Sequence, residues 1–181
     1  MRRLEGPALC AFRLLVDVSN QPAASFAALT DPPGNPGGCT VTDVSNFEAL
    51  GLAPPLLHAV AQLGFTQPTS VQAQAIPSAL KGGDWMVSSQ TGSGKTAAFL
   101  LPMLHRLLHA GAPAPTKVAT PRAVVLCPTR ELAQQVAADA IDLMRGVGDA
   151  LRADSKHHPL RDAARGLRVA TVVGGMPFGK Q

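Results

Sequence analysis

Residues 89–96, Ser89-Gln90-Thr91-Gly92-Ser93-Gly94-Lys95-Thr96, concentrate chemistry suited to a polyphosphate. Phosphate oxygens need several positive dipoles converging on one point. Gly92 and Gly94 let the backbone turn so that successive N–H groups face inward, and a helix starting at Lys95 adds its positive end. The Lys95 ammonium can reach the β- and γ-phosphates, and the Thr96 hydroxyl can hold a Mg²⁺ ion riding on them. Ser89 stands where the pattern G-x-x-x-x-G-K-[ST] has its first glycine, and it is small enough to replace one. A chance glycine-rich turn is the bland alternative. The strand-then-helix context expected around the loop makes a nucleoside triphosphate site the better reading.

Three further clusters surround this loop in sequence. Gly64-Phe65-Thr66-Gln67-Pro68-Thr69-Ser70-Val71-Gln72 lies upstream, with an isolated Phe47 before it. By themselves Phe47 and Phe65 read as core residues and Gln72 as a helix-surface residue. Pro128-Thr129-Arg130-Glu131-Leu132-Ala133 follows an apolar run. Thr129 can cap the helix behind it, and the free N–H groups of that helix suit a phosphate, which Arg130 can pair with unless it braces the loop instead. Gly174-Gly175 ends another apolar run. His105 and His109, one helical turn apart, lack a third metal ligand nearby and read as flanking a helix surface.

Taken together and in this order, the four motifs resemble those of DEAD-box RNA helicases of the bacterial type, over roughly residues 45–181. The resemblance implies that 45–73 is a Q motif, 89–96 the phosphate loop, 128–133 motif Ia and 174–175 a glycine pair that binds nucleic-acid backbone. It implies that the Gln72 amide reads the adenine edge, being donor and acceptor at once, and that Phe47 stacks on adenine. ATP with Mg²⁺ would then be held by Phe47, Gln67, Gln72 and Ser89, Gln90, Thr91, Gly92, Ser93, Gly94, Lys95 and Thr96, with Lys95 in the catalytic role. Pro128, Thr129, Arg130, Glu131, Gly174 and Gly175 would hold RNA through phosphate and sugar, without sequence readout. The family's D-E-A-D and S-A-T segments do not occur in these 181 residues, nor does a second RecA-like domain. The expectation is therefore an incomplete first domain, inactive alone, from an enzyme that clamps and unwinds RNA. An ATP- or RNA-binding module without turnover is one rival. Another phosphate-loop enzyme, such as a transporter ATPase or a small-molecule kinase, is a second, but it leaves Phe47, Gln72 and Thr129-Arg130-Glu131 unexplained together.

The elements that must position these residues follow from periodicity. Pro54 and Pro55 open a helix in the first turn, where a missing N–H costs nothing; Leu56, Leu57, Val60 and Leu63 share a face, and Gly64 ends it. Thr69 or Ser70 caps a shorter helix that Pro77 bends or restarts. Lys95–Ala110 and Glu131–Met144 read as helices, and 84–88, 122–127 and 167–173 as strands. Alternating strands and helices predict an α/β fold, a RecA-like parallel sheet flanked by helices, with three strands too few to cover both faces. Residues 146–166 read as a long polar surface connection containing Arg152, Lys156, His157, His158, Arg161 and Arg165.

Composition sets outer limits. The chain carries +4 formal charge with a pI near 9.3, compatible with a polyanionic partner. Its three cysteines, Cys10, Cys39 and Cys127, are far apart, which fits a reducing, cytoplasmic setting and neither a disulfide framework nor a zinc site. No apolar run approaches the roughly 20 residues that span a bilayer, so no membrane partner is expected; ribonucleoprotein complexes are compatible. Residues 1–41 are broken by Pro22, Asp31-Pro32-Pro33-Gly34 and Asn35-Pro36-Gly37-Gly38. They read as a disordered extension, or as non-native sequence ahead of a start at Val41, leaving 42–181 as the helicase-like domain.

Overall fold

The computed structural model describes residues 46–82, 84–111, 121–154 and 158–175. The proposed extension 1–41, with Cys10 and Cys39, lies outside them. A 3-10 turn at Phe47–Leu50 is followed by α1 (Pro54–Gln62), α2 (Ser70–Lys81), α3 (Lys95–His109), α4 (Arg130–Ala153) and α5 (Arg161–Gly166).

Local chemistry explains most boundaries. Asn46 caps the 3-10 turn by accepting from the Ala49 amide at 3.1 Å. Pro54 and Pro55 occupy the first positions of α1, and Gly64 leaves the helix at φ 78°, a conformation that costs a side-chain-bearing residue energy. Helix α2 opens with a capping box: the Gln72 amide donates to Thr69 Oγ1 at 3.4 Å, and Gln72 Oε1 accepts from the Thr69 amide at 3.0 Å. Pro77 sits inside α2 without ending it.

Two helix pairs form the core. Helix α1 packs along α4, and α2 along α3. Leu56, Ala59 and Val60 of α1 are essentially inaccessible, as are Leu100 and Leu101 of α3 and Val147 of α4. Here the structure corrects the boundary expected near Met144. Helix α4 runs on through Gly146 and Gly148 to Ala153, and α5 then follows, so much of 146–166 is helical. Gly146 is not a stop signal; it is the crossing point. A Cβ there would lie 2.7 Å from both Cα and Cβ of Ala59, so glycine is what lets the two backbones approach.

The expected sheet is not seen among the described residues. Residues 84–88, 122–127 and 167–173 have no helix, yet no strand forms among the described residues. Sequence can favour an extended backbone, but a ladder also needs a partner about 4.8 Å away. Residues 124–127 instead stand across a cavity from α3 and α4. Met86, Leu126 and Val172 are more than three-quarters exposed as a result.

Candidate nucleotide and RNA-contact site

The phosphate loop joins residues 84–88 to α3, with Gly92 at φ 77° and Gly94 at φ 83°. Gly94 is the N-cap of α3, so the first-turn N–H groups of that helix, which lack helical partners, open beside the loop. Lys95 Nζ donates to the carbonyls of Ser89 and of Gln90, the latter at 2.5 Å. The ammonium is thus held over the loop by two neutral acceptors, the position from which it would meet phosphate.

Ser89 has a second task that its spacing alone did not reveal. Its hydroxyl lies 2.6 Å from that of Ser93, bridging the two ends of the loop, which a glycine could not do.

Helix α2 is fastened to the loop by its cap. Gln72 Nε2 donates to the Gly94 carbonyl at 3.1 Å, and Thr69 Oγ1 donates to the Ser93 carbonyl at 2.8 Å. Only 5% of Gln72 is exposed, so its amide is committed on both sides. Each end nevertheless retains capacity, since a primary amide has two N–H groups and two oxygen lone pairs. Gly94 is required twice over: besides its positive φ, a Cβ would lie 2.4 Å from Gln72 Nε2.

A cavity of about 980 Å³ opens against this assembly, and Gln67, Thr69, Gln72, Thr91, Gly92, Gly94, Lys95 and Thr96 line one end. Phe65 joins them on the wall, 44% exposed; its place beside Gln67 was the available signal. Of the expected nucleotide residues, Ser89, Gln90 and Ser93 do not line this cavity: the two serines pair their hydroxyls, and the Ser89 and Gln90 carbonyls hold Lys95. Phe47 is not brought to the cavity. The 3-10 turn directs it inward, where it is 5% exposed within the apolar core. The far wall carries Asp139 of α4, whose carboxyl pKa is raised by burial and then by the neighbouring charge of Asp142. Two acids three residues apart on the apolar face of α4 could have pointed to it.

The backbone-contact motifs also come together. Thr129 caps α4 by accepting from the Leu132 amide at 3.2 Å, with Glu131 in the first turn favouring the helix dipole. Arg130 Nη2 donates to the Gly174 carbonyl at 2.5 Å, so the arginine braces the glycine turn. A Cβ on Gly175 would lie 2.9 Å from the same nitrogen, and its φ is 80°. Pro128, Thr129, Arg130, Glu131, Gly174 and Gly175 are all exposed, and Pro128 also reaches the cavity edge. His105 and His109 stack their rings with centroids 4.2 Å apart.

A phosphate loop at a helix N-terminus, locked by a glutamine cap, with an exposed, arginine-braced turn at the start of a second helix, has the chemistry of a nucleotide-binding unit with a second anion-suited surface. Residues 69–178 match the DEAD/DEAH box helicase model, and the chain belongs to that family. It is 39% identical over 137 residues to the ATP-dependent RNA helicase RhlB of Pseudomonas syringae, covering 76% of this chain and 30% of that protein. Against the ATP-dependent RNA helicase DRS1 of Phaeosphaeria nodorum the identity is 42% over 118 residues, 65% of this chain and 14% of the relative. The crystal structure of the RNA helicase Prp28 from Chaetomium thermophilum bound to ADP aligns with a TM-score of 0.57 at 37% identity, over 75% of this chain and 28% of that one. The chain thus spans less than a third of the length of these relatives.

Proposed function

We propose that the chain supplies the ATP-binding half-site, and part of the RNA-binding strip, of an ATP-dependent RNA helicase. The observation that carries this reading is the bond from Gln72 to Gly94, which joins the amide suited to an adenine edge directly to the loop suited to its phosphates. Lys95 would exchange its two carbonyl partners for the β- and γ-phosphates, and the Thr96 hydroxyl would hold Mg²⁺. The loop residues fit that group: its glycines have the conformations such a cradle needs. When bound, the metal would neutralise charge developing on the phosphates.

Gln67 and Phe65 would bound the nucleotide from the side of α1, with Phe47 supporting the adenine end from beneath. RNA backbone would lie across Pro128, Thr129, Arg130, Glu131, Gly174 and Gly175, recognised by shape rather than base sequence. In the complete RecA-like domain the extended segments would pair as a parallel sheet, covering the apolar side chains that they expose here. A cytoplasmic setting and association with ribonucleoproteins accord with the cysteine usage and the positive charge.

Titration of a fluorescent ATP analogue into the 181-residue chain and its Lys95→Ala variant tests the nucleotide reading. Loss of the charged hydrogen bonds should weaken binding by roughly tenfold to a hundredfold. Equal affinities would refute the assignment of this loop.

A further inference from the structure

The 3-10 turn and α1 meet at Ala53, and a side chain of α3 is hydrogen-bonded to this corner. The Ala53 amide donates to Nδ1 of His105 at 3.1 Å, between residues 52 positions apart. Ala53 is only 5% exposed and is the N-cap of α1. An N-cap amide lies outside the ladder of its own helix and must find its acceptor elsewhere. In α2 the N3 glutamine performs that service; in α1 the corresponding residue is Leu56, which has no polar atom in its side chain, and His105 provides the acceptor from another helix.

An accepting Nδ1 places the proton of the neutral imidazole on Nε2. The orientation of the ring is held from the other side. His109 stacks on it at 4.2 Å and 22° between planes, and His109 Nδ1 donates to the His105 carbonyl at 2.8 Å. Burial, and after it the charge of His109, lower the pKa of His105, which keeps Nδ1 available as an acceptor.

The corner that His105 holds has two arms, and both lead to the nucleotide site. In one direction the 3-10 turn packs on α2, the helix that carries Gln72. In the other, α1 runs to Leu63, Phe65 and Gln67 on the cavity wall. Helix α3, which carries His105, itself begins at Lys95.

We propose that His105 is a positioning residue of the nucleotide site: by accepting the Ala53 amide it locks the corner of the 3-10 turn and α1 to the phosphate-loop helix and so sets the affinity for adenine nucleotide. This rests on the adenine-nucleotide reading given above.

His105→Leu keeps an apolar side chain in place but removes the acceptor. His105→Asn restores one, because its Oδ1 stands two bonds beyond Cβ, as Nδ1 does in histidine. Two quantities are measured in the parent chain and both variants: hydrogen exchange at the Ala53 amide, and affinity for fluorescent ATP and GTP analogues. In His105→Leu, exchange at Ala53 should rise by about tenfold, equivalent to roughly 1.4 kcal/mol, and ATP affinity should fall more than GTP affinity. His105→Asn should return both quantities toward the parent values. Unchanged exchange at Ala53 in His105→Leu would overturn the proposal, as would equal nucleotide losses in the Leu and Asn variants. A parent chain protected at Ala53 but binding neither nucleotide would leave the hydrogen bond standing and remove the adenine-nucleotide reading, with the positioning role that depends on it.

Discussion

Gly146 and Gly148 lie two residues apart on α4, and the same Gly→Ala change at each should move stability in opposite directions. Glycine in a helix interior costs about 0.5–1 kcal/mol relative to alanine, so both substitutions gain that much from propensity. At Gly148 nothing opposes the gain, because the added methyl meets only the Arg152 guanidinium, at 3.6 Å or more, which is ordinary van der Waals contact with the end of a flexible side chain. At Gly146 the methyl would sit 2.7 Å from Ala59 Cα and Cβ and 3.0 Å from Gln62 Oε1. Carbon atoms prefer about 3.5–4.0 Å, so α1 and α4 must separate by about 1 Å along a seam that includes Leu56, Val60, Leu143 and Val147, each no more than 2% exposed. Overpacking of this kind costs about 1–3 kcal/mol. Net of propensity, Gly146→Ala should destabilise by about 1–2 kcal/mol while Gly148→Ala stabilises by about 0.5–1 kcal/mol. With a urea dependence of about 1–3 kcal/mol per M, the two midpoints should differ by about 1 M when unfolding is followed by helical circular dichroism. If Gly146→Ala raised the midpoint as much as Gly148→Ala, the close crossing of α1 and α4 would be refuted.

Gln72→Ala should weaken ATP far more than GTP, and should also lose about 1 kcal/mol of cap energy from α2; equal losses for the two nucleotides would remove the adenine-reading role and leave only the cap. Arg130→Ala should weaken RNA of every sequence alike, since the turn it braces would meet only backbone, which carries no base information. Because its guanidinium is engaged with the Gly174 carbonyl, the slope of log affinity against log salt should stay the same; a drop of about 1 would indicate direct phosphate contact. Stability should also depend on pH through His105, whose folded-state pKa lies below its ordinary 6.5. As pH falls below 6.5 the unfolded chain takes up the proton first, so the contribution of the neutral ring is complete above 6.5 and is lost progressively toward the lower folded value. Urea midpoints measured on both sides of 6.5 should show that decline in the parent, and His105→Asn, which has no imidazole to titrate, should flatten it.

The phosphate loop and the helix starts were legible because their causes are local. A proline pair, a Thr-Ser cap and a glycine before a lysine act within one turn of chain, so Pro54, the Thr69-Ser70 pair and Gly94 announce helix starts without knowledge of the rest, although only the structure showed that Thr69 is the cap. Thr129 did the same for α4. The end of α4 was not legible, because Gly146 breaks or permits a helix according to what stands opposite, and Ala59 is 87 positions away in sequence. The extended segments illustrate the same limit. Val124, Val125 and Leu126 have strand-forming composition, but pairing depends on a neighbour that no local pattern specifies. For the site, the family resemblance implied that Phe47 stacks on the adenine whose edge Gln72 reads, whereas the turn that follows Asn46 places Phe47 in the core. Ser89 looked like a tolerated replacement for glycine and proved to hold Ser93.

The close crossing at Gly146 also makes α4 a lever. From Arg130 to Gly146 the helix rises about 24 Å, so the arginine-braced turn stands on the long arm of a fulcrum whose seat is Ala59 on α1. A tilt of about 5° at the crossing would carry the capped end of α4 through roughly 2 Å, comparable to the difference between holding and releasing a hydrogen-bonded phosphate. The corner at Ala53, pinned to α3, fixes the near end of the helix that carries that seat. Small rotations of α1 against α3, arising at the phosphate loop, would therefore reach the arginine-braced turn magnified rather than damped, with a single glycine setting the pivot.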